Sequence, residues 1–68
     1  MPSSVIAKID YEAEHARLTV TFMTGRVYQY LMVPADVVTA FKAAASKGNF
    51  FNSRIRDHYP CREITPTR

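Results

Sequence analysis

Alternating apolar and polar residues predict two β-strands in the first third of the chain. Between residues 5 and 11 every second side chain is apolar or aromatic, and these positions are Val5, Ala7, Ile9 and Tyr11. The segment from residue 17 to residue 23 repeats the period of two, and its inward set is Leu18, Val20 and Phe22. Each segment is therefore predicted to cover a core with one face.

A third strand is predicted after a tight turn that contains Gly25. Glycine adopts the positive φ that such turns need, and the following residues 26–33 are rich in β-branched and aromatic side chains. In this strand Tyr28 and Tyr30 share one face, and Gln29 lies on the other. The pattern leaves open which of the two faces meets the core.

Two helices are predicted after the third strand. Pro34 suits the start of a helix, because its missing N–H would be unpaired there in any case. An apolar stripe at helical spacing runs through residues 35–47, and Gly48 is the expected C-cap. A second, shorter helix is predicted from Asn49 to the residue before Pro60, because apolar residues recur there every four positions.

These elements predict one α+β domain over residues 1–68, a three-stranded antiparallel β-meander packed against one main helix and a short second helix. Its core covers about residues 4–60, and residues 61–68 form a short extended or frayed C-terminal tail. A chain of 68 residues buries only about 60% of its unfolded surface. The core is therefore expected to be one layer deep.

The charge is unevenly distributed along the chain. The formal net charge is +3, with net −1 in residues 1–40 and net +4 in residues 41–68. A basic C-terminal part suits an anionic partner such as nucleic acid, but a solvated basic face explains it equally well.

Composition also limits the chemistry. Cys61 is the only cysteine, which rules out an internal disulfide and any zinc site that needs two thiolates. The N-terminal segment lacks the pattern of a signal peptide, and no apolar run is long enough to span a bilayer. We expect a cytoplasmic protein with no membrane association and no cofactor.

Several motifs in order along the chain resemble the KTSC domain, a bacterial family named for its occurrence at the C-terminus of some lysyl-tRNA synthetases. The residues that carry the resemblance are Ser4, Tyr11, Leu18-x-Val20-x-Phe22, Gly25-x-x-Tyr28-x-Tyr30, Val33-Pro34, Ala45-Ser46-x-Gly48, Phe51-Asn52 and Ile55-Arg56. The resemblance implies a stand-alone member of this family, with RNA binding as the proposed role and no catalytic residue.

Six residues are candidates for a nucleic-acid contact, namely Tyr28, Tyr30, Lys47, Arg54, Arg56 and Arg62. The two tyrosines can stack bases on an open sheet face, or they can pack under the helices as core. The four cations can hold phosphates, although Arg54 and Arg56 lie about 200° apart on an ideal helix. Arg56 can equally tie the helix to the sheet.

Other polar groups favour plain structural interpretations. His58 and Cys61 are separated by Pro60 and have no third orienting group, so a thiol-imidazole dyad is not expected. Glu12, Glu14 and His15 fall in a surface connection, which favours a solvated turn over a metal site. The preferred function is a small non-enzymatic module that binds RNA or another nucleic acid. The alternative is a protein-interaction or self-association module, with a protein partner or a homodimer.

Overall fold

The structure, a computed structural model, describes residues 5–66 and contains a four-stranded antiparallel sheet. The strands are β1 (Ile6–Glu12), β2 (Arg17–Phe22), β3 (Val27–Tyr30) and β4 (Cys61–Glu63). They lie side by side in chain order, and each pairs with the next. The α+β class is confirmed, and the sheet has one strand more than the predicted meander.

The additional strand β4 comes from the segment predicted as an extended or frayed tail. Just beyond it, Ile64 N donates to Val27 O at 2.7 Å, and Val27 N donates to Thr65 Oγ1 at 2.8 Å. A strand of three exposed residues leaves no period-two pattern, so its pairing could not be predicted. Residues 67 and 68 of the predicted tail lie outside the described residues.

A β-bulge in β1 overturns the predicted inward set of this strand. The register with β2 shifts between Ile6 and Lys8, so Ile6 lies in the core and Val5 is 49% exposed. Beyond the shift, Ile9 and Tyr11 pack against the core as expected. One extra residue reverses the alternation on its N-terminal side, and simple parity cannot detect it.

The turn between β2 and β3 follows the prediction. Gly25 has φ of 96°, and its N–H donates to Phe22 O at 2.9 Å. The inward set Leu18 and Val20 is fully buried, and Phe22 is half-buried. The resulting pairing brings Tyr28 opposite Val20, so both tyrosines of β3 share the face of β2 that is buried.

The first helix, α1 (Ala35–Ala43), begins after Pro34 as predicted but ends before Gly48. Ala44 is extended, and Ser46 starts a new helix by accepting a hydrogen bond from Asn49 N at 3.3 Å through its Oγ. The predicted C-cap at Gly48 is therefore wrong, because a serine N-cap two residues earlier starts the next helix.

The second helix, α2 (Lys47–Phe50), continues directly into a π-helical turn, Phe51–Ile55. Its last bond runs from Arg56 N to Phe51 O, five residues back, at 2.8 Å. Arg56 ends the helix with an extended ψ of 128°, and Asp57 then has φ of 66°, a conformation that Asp tolerates better than most residues. The helix therefore starts two residues earlier and ends earlier than the sequence predicted.

One hydrophobic core lies between the sheet and the helices. Its buried members come from every layer and are Ile6, Leu18, Val20, Tyr30, Val33, Val38, Phe41, Phe51 and Ile55. The molecule is only 18 Å thick in its shortest dimension, which fits one sheet and one layer of helices. Within residues 5–66, neither helix has the length and apolar character needed to cross a bilayer.

Candidate functional site

A groove lies between the β3–β4 side of the sheet and the π-helical turn. Its volume is about 410 Å³, within the range of ligand-binding clefts. The groove residues, called the Tyr-Arg groove below, are Val5, Phe22, Tyr28, Tyr30, Phe51, Asn52, Arg56, Asp57 and Cys61. The groove thus joins sheet residues to residues of the second helix that are far away in sequence.

Aromatic rings form the floor of the Tyr-Arg groove. Phe51 meets Tyr30 and Phe22 edge to face, with ring centroids 5.5 and 5.3 Å apart. Phe22 in turn meets Tyr28 edge to face at 5.8 Å. These interlocked rings hold one another in place, so the floor is preorganised.

The two tyrosines of the groove differ in exposure. Tyr30 is 4% exposed and belongs to the core, whereas Tyr28 is half-buried at its edge. A buried ring cannot offer its face to a base, so the geometry favours the core interpretation for Tyr30. An open platform made of both rings is therefore not present on this sheet, because the second helix covers that face.

The π-helical turn supplies the polar wall of the groove. Asn52 lies in this turn and Arg56 follows it directly, both with exposed side chains. Within residues 5–66, no carboxylate oxygen lies within 4.0 Å of the Arg56 guanidinium. Its charge is close enough to Tyr30 to favour ionisation of that hydroxyl. Arg56 is therefore an unpaired cation at the groove wall.

A second arginine, Arg26, stands at the other end of the tyrosine pair. Its hydrogen bond to the Tyr28 side chain, and to a lesser extent the charge of Glu63, raise the pKa of Arg26. The Arg26 Nη1 atom lies 3.8 Å from Glu63 Oε2. Sequence reasoning missed this residue, although it has the same strand parity as the tyrosines and so belongs to the same face.

The structure brings together three of the six predicted contact residues and separates the other three. Tyr28, Tyr30 and Arg56 line the Tyr-Arg groove. Arg54 lies over the Phe50 ring, 5.8 Å from its centroid, in a depression on the α1 side of the second helix. Arg62 donates to Gln29 Oε1 at 3.2 Å on the opposite sheet face.

Lys47 is the sixth predicted residue, and it lies beside β1. It lines a shallow depression there together with Lys8 and Lys42. The three candidate cations outside the groove, Lys47, Arg54 and Arg62, therefore do not form one patch. Helix periodicity separates Arg54 from Arg56, whereas the positions of Lys47 and Arg62 depend on tertiary packing alone.

The three polar residues predicted to form a solvated turn, Glu12, Glu14 and His15, lie close together on the surface. Glu12, Glu14 and His15 each place one potential ligand atom within 4.8 Å of the others, but all three are exposed. Glu12 is engaged by His15 Nδ1 at 3.1 Å and by Arg17 Nε at 3.5 Å. Glu12 and His15 therefore contact each other on the surface, which fits the predicted solvated turn.

Cys61 and His58 line different depressions. Cys61 lies in the Tyr-Arg groove and interacts with the Tyr30 hydroxyl, whereas His58 lies in the depression beside α1. The imidazole therefore does not share a depression with the thiol. The Cys61 thiol instead interacts with the phenol of Tyr30.

Tyr30 also makes the stability of the domain sensitive to alkaline pH. Burial, followed by the charge and hydrogen bond of Cys61, raises the pKa of Tyr30 to about 12, and Arg56 opposes the shift. An unfolded tyrosine titrates near about 10. Between these two values the unfolded chain loses this proton and the folded chain keeps it, so stability falls as the pH rises.

Below about pH 10 the free energy of unfolding should contain the whole contribution of the protonated Tyr30. By about pH 12 it should have fallen by about 1–2 kcal/mol. Urea unfolding at about pH 9 and about pH 11.5 measures the loss. Tyr30→Phe should remove that part of the alkaline loss, whereas Tyr28→Phe should retain it. An unchanged alkaline loss in Tyr30→Phe would contradict the assignment.

Fold and groove together define a small α+β domain with a helix-covered sheet and a tyrosine- and arginine-lined groove. The model of the KTSC domain matches residues 2–59, and the chain belongs to the KTSC domain family. This confirms the resemblance of the sequence motifs. Several of those motif residues, namely Tyr28, Tyr30, Phe51, Asn52 and Arg56, converge in the Tyr-Arg groove.

Individual proteins similar to this chain occur both as small proteins and within larger ones. The crystal structure of a KTSC domain protein from Yersinia pestis superimposes with a TM-score of 0.86 at 36% identity, covering 94% of this chain and 93% of that chain. An uncharacterized protein of Stutzerimonas stutzeri is 37% identical over 60 residues, 87% of this chain and 84% of that protein.

A lysine–tRNA ligase of Nostoc punctiforme is 36% identical over 62 residues, 91% of this chain but only 11% of the ligase. A second such ligase, from Trichormus variabilis, is 32% identical over the same share of its length. The chain therefore corresponds to a small part of these two enzymes.

Proposed function

We propose that this domain is a non-enzymatic binding module for RNA and that the Tyr-Arg groove holds one nucleotide of the bound strand. The observation that carries the proposal is the exposed, unpaired guanidinium of Arg56 beside the aromatic floor of the groove. A guanidinium matches the geometry of a phosphate, and exposed aromatic edges accept a base or ribose.

The groove supplies three kinds of contact for such a nucleotide. Arg56 binds the phosphate, and the Asn52 amide can both donate to and accept from a base edge. Tyr28, which is half-buried, offers the accessible part of its ring and its hydroxyl. Tyr30 supports the floor from beneath and does not itself stack on a base.

The ligase relatives add an independent argument for RNA. A lysine–tRNA ligase acts on a tRNA, and this domain matches 11% of the ligase from Nostoc punctiforme. A small appended module that contacts RNA would add affinity for that substrate through effective concentration. The same contact, used alone, would be weak and dependent on salt.

Arg56→Ala tests the proposal. Anisotropy titration of a labelled tRNA and of single-stranded oligonucleotides at about 50 and about 200 mM salt should show binding that weakens with salt. Arg56→Ala should weaken it about 10- to 100-fold, because a charge-assisted hydrogen bond contributes about 1.5–3 kcal/mol. Asp57→Asn should strengthen it a few-fold, because it removes a negative charge from the groove and keeps the residue's tolerance of positive φ.

Arg54→Ala is the matched control. Arg54 lies two residues from Arg56 and carries the same charge, but it faces Phe50 on the other side of the second helix. This variant should change the affinity less than about two-fold, since distant surface charges are screened. Equal losses in the two variants, or no binding at the lower salt concentration, would exclude the Tyr-Arg groove as the RNA site.

A further inference from the structure

The three lysines of the chain converge at one place on the surface. Lys8 lies in β1, Lys42 near the end of α1 and Lys47 at the start of α2. Together they line a shallow depression of about 280 Å³ whose remaining lining residues are Ile6, Ala7 and Ile9. The name lysine patch is used below for Lys8, Lys42 and Lys47. The sequence does not suggest this group, because Lys8 is far from the other two.

The charge of the lysine patch is only partly neutralised. Lys8 Nζ lies 3.5 Å from Asp10 Oδ2, but both side chains are more than half exposed, so the pair is weak. Lys47 Nζ donates to the carbonyl Ala44 O at 3.4 Å, which is not a carboxylate partner. Within residues 5–66, Lys42 has no carboxylate within 4.0 Å. The patch therefore presents a net positive surface.

Protection of the sheet edge does not explain this arrangement. β1 is an edge strand, and a lysine on such a strand discourages pairing with another chain. Only Lys8 belongs to β1, however, and the other two lysines reach the same depression from two different helices. Protection of the edge needs only one lysine, so it does not account for the convergence of three.

The lysine patch borders the Tyr-Arg groove. Val5 lines the groove, and the next residue along the chain, Ile6, lines the patch. Gly48, which directly follows Lys47, approaches Val5 so closely that a Cβ on Gly48 would lie 3.6 Å from Val5 Cγ2. The groove and the patch are therefore neighbours, through the Val5–Ile6 step of the chain and through the Val5–Gly48 contact.

We propose that the lysine patch binds the phosphate backbone of the same RNA strand next to the nucleotide in the Tyr-Arg groove. This inference rests on the proposed function. A flexible ammonium holds phosphates as a point charge and does not distinguish bases, so the patch adds affinity for longer strands without sequence preference. A short oligonucleotide that fills only the groove does not reach it.

The test compares two strand lengths and two double variants. Lys8→Gln with Lys42→Gln removes two exposed charges from the patch, and Arg17→Gln with Arg54→Gln removes two charges elsewhere, so both proteins have the same formal net charge. We expect the lysine variant to bind an oligouridine of about twelve nucleotides about five-fold more weakly than wild type. Its salt slope should fall by about 1.4, since each phosphate contact on a single strand contributes about 0.7.

The same lysine variant should bind a trinucleotide as wild type does, and the arginine variant should bind both strands nearly as wild type does. Equal losses of affinity in the two double variants would show that the lysine patch does not bind the RNA strand, and so would an unchanged affinity of the lysine variant for the longer strand. Either result is compatible with binding that depends on Arg56, so it would leave the proposed function standing. If wild type binds neither strand, the proposed function and this inference both fail. Thermal melting of each variant confirms that it is folded.

Discussion

Phe41→Ala should lower the free energy of unfolding by about 3–5 kcal/mol. Phe41 is fully buried and is the largest of the fully buried side chains of this small core. Its ring stacks on Phe50 at 5.5 Å and lies 6.4 Å from Phe51, so it joins α1 to the second helix. Urea unfolding followed by circular dichroism measures the change.

The expected loss is large relative to the whole stability of the domain. A chain of 68 residues has about 3–10 kcal/mol available, so Phe41→Ala should leave a substantial unfolded population. Phe41→Leu, which leaves a smaller cavity, provides a variant that still folds and should lose less. Met23→Ala, at a side chain 67% exposed, is the control and should change stability by less than about 0.5 kcal/mol. A comparably small loss in Phe41→Ala would contradict the packing of α1 on the core.

Tyr30→Ala should lower the free energy of unfolding by about 3–5 kcal/mol, and Tyr30→Phe by only about 1 kcal/mol. The alanine variant removes a ring that is 4% exposed and packed edge to face on Phe51 at 5.5 Å. The phenylalanine variant keeps that ring and loses only the hydroxyl and its interaction with Cys61. Chemical denaturation of the two variants separates ring packing from the hydrogen bond.

Tyr28→Ala is the matched control for Tyr30→Ala. Tyr28 has the same side chain on the same face but is half-buried at the core edge, so its removal should cost clearly less. If Tyr30→Ala were as stable as wild type, its ring could not be part of the core. The instability expected of Tyr30→Ala also limits its use in binding experiments, because a loss of RNA binding in this variant would reflect unfolding and not a lost contact. Arg56 and Tyr28 are therefore the informative positions for binding.

The sequence predicted the parts of the fold that depend on local pattern. Leu18 and Val20 alternate with polar residues, and both are fully buried in β2. Gly25 marked the hairpin turn, and Pro34 marked the start of α1. These features need only strand periodicity, positive φ and a missing N–H, all of which are properties of a few adjacent residues.

The predictions failed where one residue changed the local geometry. The bulge near Ala7 reversed the predicted burial of Val5 and Ile6. Ser46 capped a new helix and displaced the expected boundary at Gly48. The bulge and the serine cap each replace a regular backbone hydrogen-bond pattern with a local alternative. The spacing of apolar residues along the chain does not show which of the two patterns forms.

The candidate site was predictable only in part. The motif residues Tyr28, Tyr30 and Arg56 were identified from the sequence, and the structure places them in the Tyr-Arg groove. The burial of Tyr30 was left open, since parity defines a shared face but not which face the helices cover. Arg26 was missed, and its contact with Tyr28 becomes evident only once the face of β3 that meets the core is known.

The sequence by itself determined the α+β class, the membership of β2 in the core and the motif residues of the family, because each depends on spacing along a short segment. Only the tertiary structure decided that β4 completes the sheet, that Arg56 meets the tyrosines of β3, and that Lys8, Lys42 and Lys47 meet. These juxtapositions join residues far apart in the chain, and the packing of helices on a sheet, not local preference, sets their distances.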